Sequence, residues 1–198
     1  DFEWILAIDG CYATQKWADE NDVEYYFHNR DGRQYNAISN KTVKMANGDY
    51  LLFISGDSYP ESDNYIEELD GAVEPNRIVC GLRTNVDTKL KIHSFDHRLK
   101  MHNPIGRYDK IGTKVPFLYM TSNGMVVAKK VWKELGGFDE TYQGYGVVDQ
   151  DFCMRAHLLG IEMWWANQAI LLHQDTGVRK IDGDNWEIFQ ARMKELIK

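Results

Sequence analysis

Cysteine is rare in this chain, and what there is forms no framework. Cys11, Cys80 and Cys153 are far apart and odd in number, which gives neither zinc-ligand spacing nor a disulfide scaffold, so a reducing compartment is expected. Long apolar runs are also missing. The longest, such as Tyr50 to Ile54, have strand length and cannot span a bilayer. Basic residues are outnumbered 23 to 30, a formal charge of −7, which excludes a general affinity for nucleic acid but leaves room for a local pocket holding one diphosphate. No signal peptide, internal repeat or low-complexity tract is visible. The expected location is the cytoplasm, alone or at the periphery of a membrane. Of the 198 residues, 43% are hydrophobic and 27% charged, which suits a single globular domain with a sizeable core.

Short apolar runs alternate with helical spacing, the signature of an α/β domain. Strands are predicted at Trp4 to Ile8, Val23 to Phe27, Asp49 to Ile54, Arg77 to Leu82, Phe117 to Met120 and Trp164 to Leu172. Helices are predicted at Thr14 to Asn21, Asn36 to Ala46, Pro60 to Val73, Ala128 to Leu135, Asp149 to Leu159 and Asp184 to Ile197. Residues 83–116 are polar, carry Pro104, Gly106, Gly112 and Pro116, and show little periodicity. So long an irregular stretch is expected to be a functional loop or partly disordered.

Three places carry chemistry. The run Leu51-Leu52-Phe53-Ile54 leads into Ser55-Gly56-Asp57. A carboxylate at the carboxyl end of a strand suits a hard divalent cation under a diphosphate, and it equally suits a turn in which Asp57 caps the next helix. The second place is Gly136-Gly137-Phe138-Asp139-Glu140, followed by Gly144-Tyr145-Gly146-Val147-Val148-Asp149-Gln150-Asp151-Phe152 and then Arg155. A helix starting near Asp149 would keep that carboxylate ionised, ready to accept a proton. The plain alternative is that Asp149 and Asp151 cap the helix, with Arg155 pairing to Asp151 one turn on. The third place is His173, which follows a strand and is read either as a surface or core imidazole or as a metal ligand.

The segment from Asn40 to Pro60 resembles the family-two glycosyltransferases of the GT-A fold, and the stretch from Gly136 to Arg155 is similar to their G-G-F-D-E and G-[WY]-G-x-E-D-x-D signature. That signature is shared with galactosyltransferase-like and polypeptide N-acetylgalactosaminyltransferase-like branches. The resemblance covers about Glu3 to Gln174. It implies a GT-A-type, Rossmann-like mixed sheet flanked by helices, and a chain lacking the first strand and helix of that fold, whether these belong to a missing N-terminal segment or to a partner chain. It further implies sugar transfer from a nucleotide-diphosphate donor, a UDP-sugar above others, to a glycan or other hydroxyl. Mn²⁺ or Mg²⁺ would sit between Asp57 and His173, and Asp149 would be the base.

In the same resemblance Asp9 contacts the nucleoside, Ser55 replaces the first acid of the D-x-D element, and Asn123 lines the donor sugar. Arg33 is the basic residue near the nucleotide, and Tyr145 and Gly146 approach the acceptor. Val148 replaces an acceptor-binding Glu, and residues 83–116 become an acceptor-side segment or lid. Asp9 and Asn123 also read as turn residues, and Arg33 as a solvated charge. Retention rather than inversion, a silent carbohydrate- or nucleotide-binding module, and a nucleotidyltransferase are the competing readings; the last lacks a glycine-rich basic loop near its start. His93 and His97 have helical metal spacing but no third ligand, so with His102 they are read as solvated loop residues.

Overall fold

Strand, helix and strand succeed one another from the first described residues, as the apolar spacing predicts. The computed structural model describes residues 2–29, 34–95, 111–174 and 181–196. β1 (Ile5–Asp9) passes through α1 (Tyr12–Glu20) to β2 (Glu24–His28), and the strands pair in parallel, Ile5 against Glu24 through Asp9 against His28. One face carries Tyr25 and Phe27, which meet Gln15 and Tyr12 of α1. On the other, Tyr26 lies under Lys41 of α2 (Tyr35–Val43). Among the described residues β1 pairs with β2 alone, so the expected single sheet is in two parts.

The larger part runs in the order β3 (Tyr50–Phe53), β8 (Met125–Ala128), β5 (Arg77–Val86), β9 (Glu162–Gln174) and β4 (Ser58–Pro60). β6 (Ile92–Phe95) pairs with the end of β5, and β7 (Gly112–Lys114) with β9. β5 and β9 are parallel to each other; their remaining partners are antiparallel. β5 lies at the centre and is covered on both faces, which is why Ile78, Val79 and Cys80 form an unbroken buried run rather than an alternation. α3 (Tyr65–Asp70) buries Tyr65 and Leu69 against Val79, Val126 and Leu171. On the other face α4 (Lys129–Leu135) and α5 (Val148–Leu158) carry Trp132 and Phe152 into contact with Phe53 and Phe138, ring centroids 4.7–5.7 Å apart. α6 (Asn185–Leu196) closes this side through Phe189. No helix among the described residues is long and apolar enough to cross a membrane.

Four expectations are corrected. Phe117 to Met120 is not a strand but a single 3₁₀ turn, Phe117–Tyr119, opened by Pro116 at φ −61°; the strand follows at β8. The helix expected from Pro60 shortens to α3, because Ser58–Pro60 is taken up as an edge strand of β9, where a proline is tolerated. The region from residue 83 is not irregular throughout. Thr84 and Val86 are buried and alternate with Arg83 and Asn85, so β5 continues past Leu82 with a period-two pattern hidden by its polar members. β9 outruns its expected end and contains His173.

Candidate functional site

The turn after β3 positions Asp57. Ser58 N–H bonds back to Ser55 C=O at 3.1 Å, and the chain then joins β9 as β4, with Ser58 opposite His173. Gln174 N–H donates to Asp57 C=O at 2.8 Å and completes the clamp. Two residues 116 positions apart in sequence are thereby brought together, Asp57 Oδ2 lying 3.6 Å from His173 Nε2. The other atoms of both groups are held from behind. Ser55 Oγ donates to Asp57 Oδ1 at 2.6 Å, and His173 Nδ1 is 3.3 Å from Asn85 Oδ1. The His173 imidazole beside it holds the Asp57 carboxyl far below the usual carboxylate range; partial burial opposes this and the Ser55 hydroxyl adds to it. An ionised oxygen therefore faces an imidazole nitrogen whose far side is oriented by an amide, the kind of second contact that fixes a ligating histidine.

Asn123 ties this turn to the rest of the site. Its Oδ1 accepts from Ser55 N–H at 3.1 Å and its Nδ2 donates to Ser58 Oγ at 2.8 Å. The preceding residue, Ser122, donates its N–H to Asp149 Oδ2 at 3.1 Å. One turn between the 3₁₀ segment and β8 thus holds the Asp57 loop with one residue and Asp149 with the next. Asp149 lies in the first turn of α5, where the helix dipole favours a negative charge, and Gln150 N–H lies 3.1 Å from its Oδ1. Tyr35 completes the group. Its ring is partly exposed, but the hydroxyl is desolvated beside Ser122 and Asp149, which pushes its pKa up to about 12.

Gly144, Gly146 and Val147 all have positive φ, at 73°, 112° and 56°. For a β-branched residue that conformation is strained, and it occurs at the N-cap of the helix that carries Asp149. The loop is held by Asp182, whose carboxylate accepts from Tyr145 N–H at 2.8 Å while its own N–H donates to Tyr145 C=O. The Tyr145 side chain is 45% exposed, and Ile181 packs over Gly146.

Asp151 points the other way. It is fully buried, accepts from Tyr142, Arg155 and Arg192, and has no face open to a substrate. Asn40 is an equally structural element: it donates to Phe138 C=O and accepts from Phe138 N–H, which joins α2 to the glycine pair. Gly137 has φ 77°, and a Cβ there would overlap Asn40 Oδ1. Gly137→Ala should therefore cost about 2 kcal/mol or more, combining left-handed strain with displacement of the amide. A urea midpoint unchanged from the parent would show that the contact yields freely.

Asp9 ends β1, and Gly10, at φ 64°, turns the chain away. Arg33 lies outside the described residues, as do His97, His102 and residues 96–110 of the proposed lid segment. Among the described residues no three His, Cys, Asp or Glu side chains converge as a metal cluster. Sequence reasoning passed over Tyr35, Asn85 and Ser122. Their signal is tertiary proximity alone, as each is an ordinary polar residue in its local segment.

Comparisons with known proteins follow the same lines. Residues 13–164 match the sequence family described as glycosyltransferase like family 2. The O-antigen biosynthesis protein RfbC of Myxococcus xanthus is 26% identical over 183 residues, an overlap of 79% of this chain and 14% of that protein. In fold the chain is similar to S. aureus TarS 1–349 in complex with UDP, with TM-score 0.69 and 14% identity over 99% of this chain and 56% of that one. It is also similar to GalNAc-T7 with UDP, GalNAc and Mn²⁺, with TM-score 0.64 and 12% identity over 86% of this chain and 37% of that one. The chain spans less than two thirds of each of these relatives. The structural likenesses show the fold, a mixed sheet flanked by helices of the GT-A type.

Proposed function

This chain belongs to glycosyltransferase like family 2, and from that premise we propose that it transfers a sugar from a nucleotide-diphosphate donor, a UDP-sugar above others, to an acceptor hydroxyl with inversion. The observation that carries the reading is the 3.6 Å approach of Asp57 Oδ2 to His173 Nε2. Metal–ligand bonds of about 2.1 Å put neighbouring ligands of one ion roughly 3–3.5 Å apart, so this pair fits a single divalent cation. An imidazole with a carboxylate suits Mn²⁺ or Mg²⁺ completed by diphosphate oxygens. A cation bound there would offset charge developing on the leaving diphosphate.

The chain's own groups supply the remaining steps. Ser55 and Asn123 hold the Asp57 turn in shape, so we assign both to positioning the donor diphosphate rather than to direct chemistry. Asp149 accepts the proton of the acceptor hydroxyl as its oxygen attacks the anomeric carbon and the bond to the diphosphate breaks. Tyr145 and Gly146 form the acceptor side of that carboxylate. Asp9 contacts the nucleoside at the end of β1, and Arg33, outside the described residues, is assigned to the nucleotide by the family resemblance alone.

The test is titration calorimetry of UDP with and without Mn²⁺. We expect Mn²⁺ to tighten binding by the parent chain and chelator to reverse this, while Asp57→Asn weakens the Mn²⁺-dependent component about tenfold or more. UDP bound equally well with and without Mn²⁺, in parent and variant alike, would remove the metal from the reading.

A further inference from the structure

Asp9 and His28 are cross-strand partners at the carboxyl ends of the parallel strands β1 and β2, and Gly10 N–H to His28 C=O at 2.9 Å fixes that alignment. Strand alternation places both side chains on the face that carries Ala7 and Tyr26, toward α2. Each is half-buried. Asp9 Oδ1 and His28 Nε2 are fully enclosed with no hydrogen-bond partner, and no side-chain hydrogen bond of either residue occurs among the described residues. A buried unpartnered polar atom is costly and rare in a folded chain. Here two lie side by side, one acceptor and one ring nitrogen able to donate, at the end of the sheet where ligands of α/β proteins gather. Both side chains are also partly exposed, so the pair lies at the surface of that sheet end.

We infer that His28 is a specificity residue that, together with Asp9, reads the hydrogen-bonding edge of the donor nucleobase. A pyrimidine or purine edge presents a donor beside an acceptor. The carboxylate accepts from the base N–H, and the imidazole N–H donates to the adjacent base oxygen or nitrogen. This rests on the donor reading given above and deepens it, since nothing in that reading requires a histidine on β2. The alignment of the two strands makes the pair sensitive to the order of donor and acceptor along the base, whereas a lone aspartate would accept from any base N–H within reach.

The experiment compares the parent chain with His28→Ala and His28→Gln by calorimetry against UDP, 2′-deoxy-UDP and inorganic pyrophosphate, all in Mn²⁺. His28→Ala should weaken UDP about tenfold, the loss of one hydrogen bond, and leave pyrophosphate unchanged. His28→Gln, which restores a donor, should recover most of the affinity. UDP bound as tightly by His28→Ala as by the parent overturns the inference alone, and so does an equal loss for pyrophosphate, which marks a general defect. Loss of the parent's preference for UDP over 2′-deoxy-UDP assigns the imidazole to the ribose and overturns the base assignment. A parent chain with no preference for UDP over pyrophosphate overturns the donor reading, and this inference with it.

Discussion

Replacing Asp149 with asparagine is expected to lower the rate of sugar transfer by a factor of about 10² to 10⁴ while leaving the fold and donor binding intact. The side chain keeps its size, and its amide oxygen can still accept from Ser122 N–H, so the link to the 122–123 turn survives. What disappears is the ionised oxygen that accepts the hydroxyl proton. A deficit of that size corresponds to about 3–5 kcal/mol of transition-state stabilisation, far more than one neutral hydrogen bond supplies. The loss should fall on kcat, with the affinity for UDP in Mn²⁺ unchanged, because Asp57 and His173 form a separate contact set. Asp149→Ala should be no slower than the asparagine variant but less stable, since it also gives up the Ser122 anchor. Transfer at the parent rate by Asp149→Asn would remove the base assignment and, with it, the argument for inversion.

How much of this was legible beforehand follows from the range over which each signal acts. The alternation of β1, α1, β2 and α2 was readable because each element shows its own periodicity, although α2 ends at Val43 rather than at the expected Ala46. β4, β6 and β7 were not, since strands of only three or four residues exist through their pairing with β9 and β5. Asp57 and Asp149 could be picked out as carboxylates at a strand end and a helix start, but local sequence could not separate ligand or base from cap. The long motif around Gly136 to Arg155 tipped that balance. His173 illustrates the limit most clearly: a lone histidine says nothing until β4 pairs with β9 and sets it opposite the Asp57 turn. Asn85 and Ser122, which orient the two sites, carry no local signal at all.

The second large effect concerns stability, and it falls on the other aspartate of the same motif. Asp151 Oδ1 accepts from Tyr142 Oη at 3.0 Å and Arg192 Nη1 at 2.8 Å, while Oδ2 accepts from Arg155 Nε at 2.9 Å. Arg155 goes on to Leu135 C=O and Gly137 C=O, and Arg192 to Asp139. One buried carboxylate therefore joins α5, α6, the end of α4 and the Gly137 loop. Asp151→Ala leaves two guanidinium groups facing an uncharged cavity. Since the carboxylate is wholly enclosed, the cost should be that of breaking a buried ion pair, about 3–5 kcal/mol, rather than the fraction expected at a surface. Denaturant unfolding followed by tryptophan fluorescence should show it as a lowered midpoint.

Arg192→Met tests the connection to the C-terminal helix. It removes one cation but leaves Asp151 paired with Arg155, so it should cost less than Asp151→Ala. Combined with Asp151→Ala it should cost less than the sum of the two, because the second change removes a charge the first has stranded. A loss below 1 kcal/mol for Asp151→Ala would mean that water reaches the network and that α6 is held by Phe189 and its neighbours alone. Activity should fall in step with stability, because the same α5 turn that buries Asp151 presents Asp149 two residues earlier on its open side. On the proposed mechanism the two acids of one motif divide between them the work of holding the helix and the work of accepting the proton.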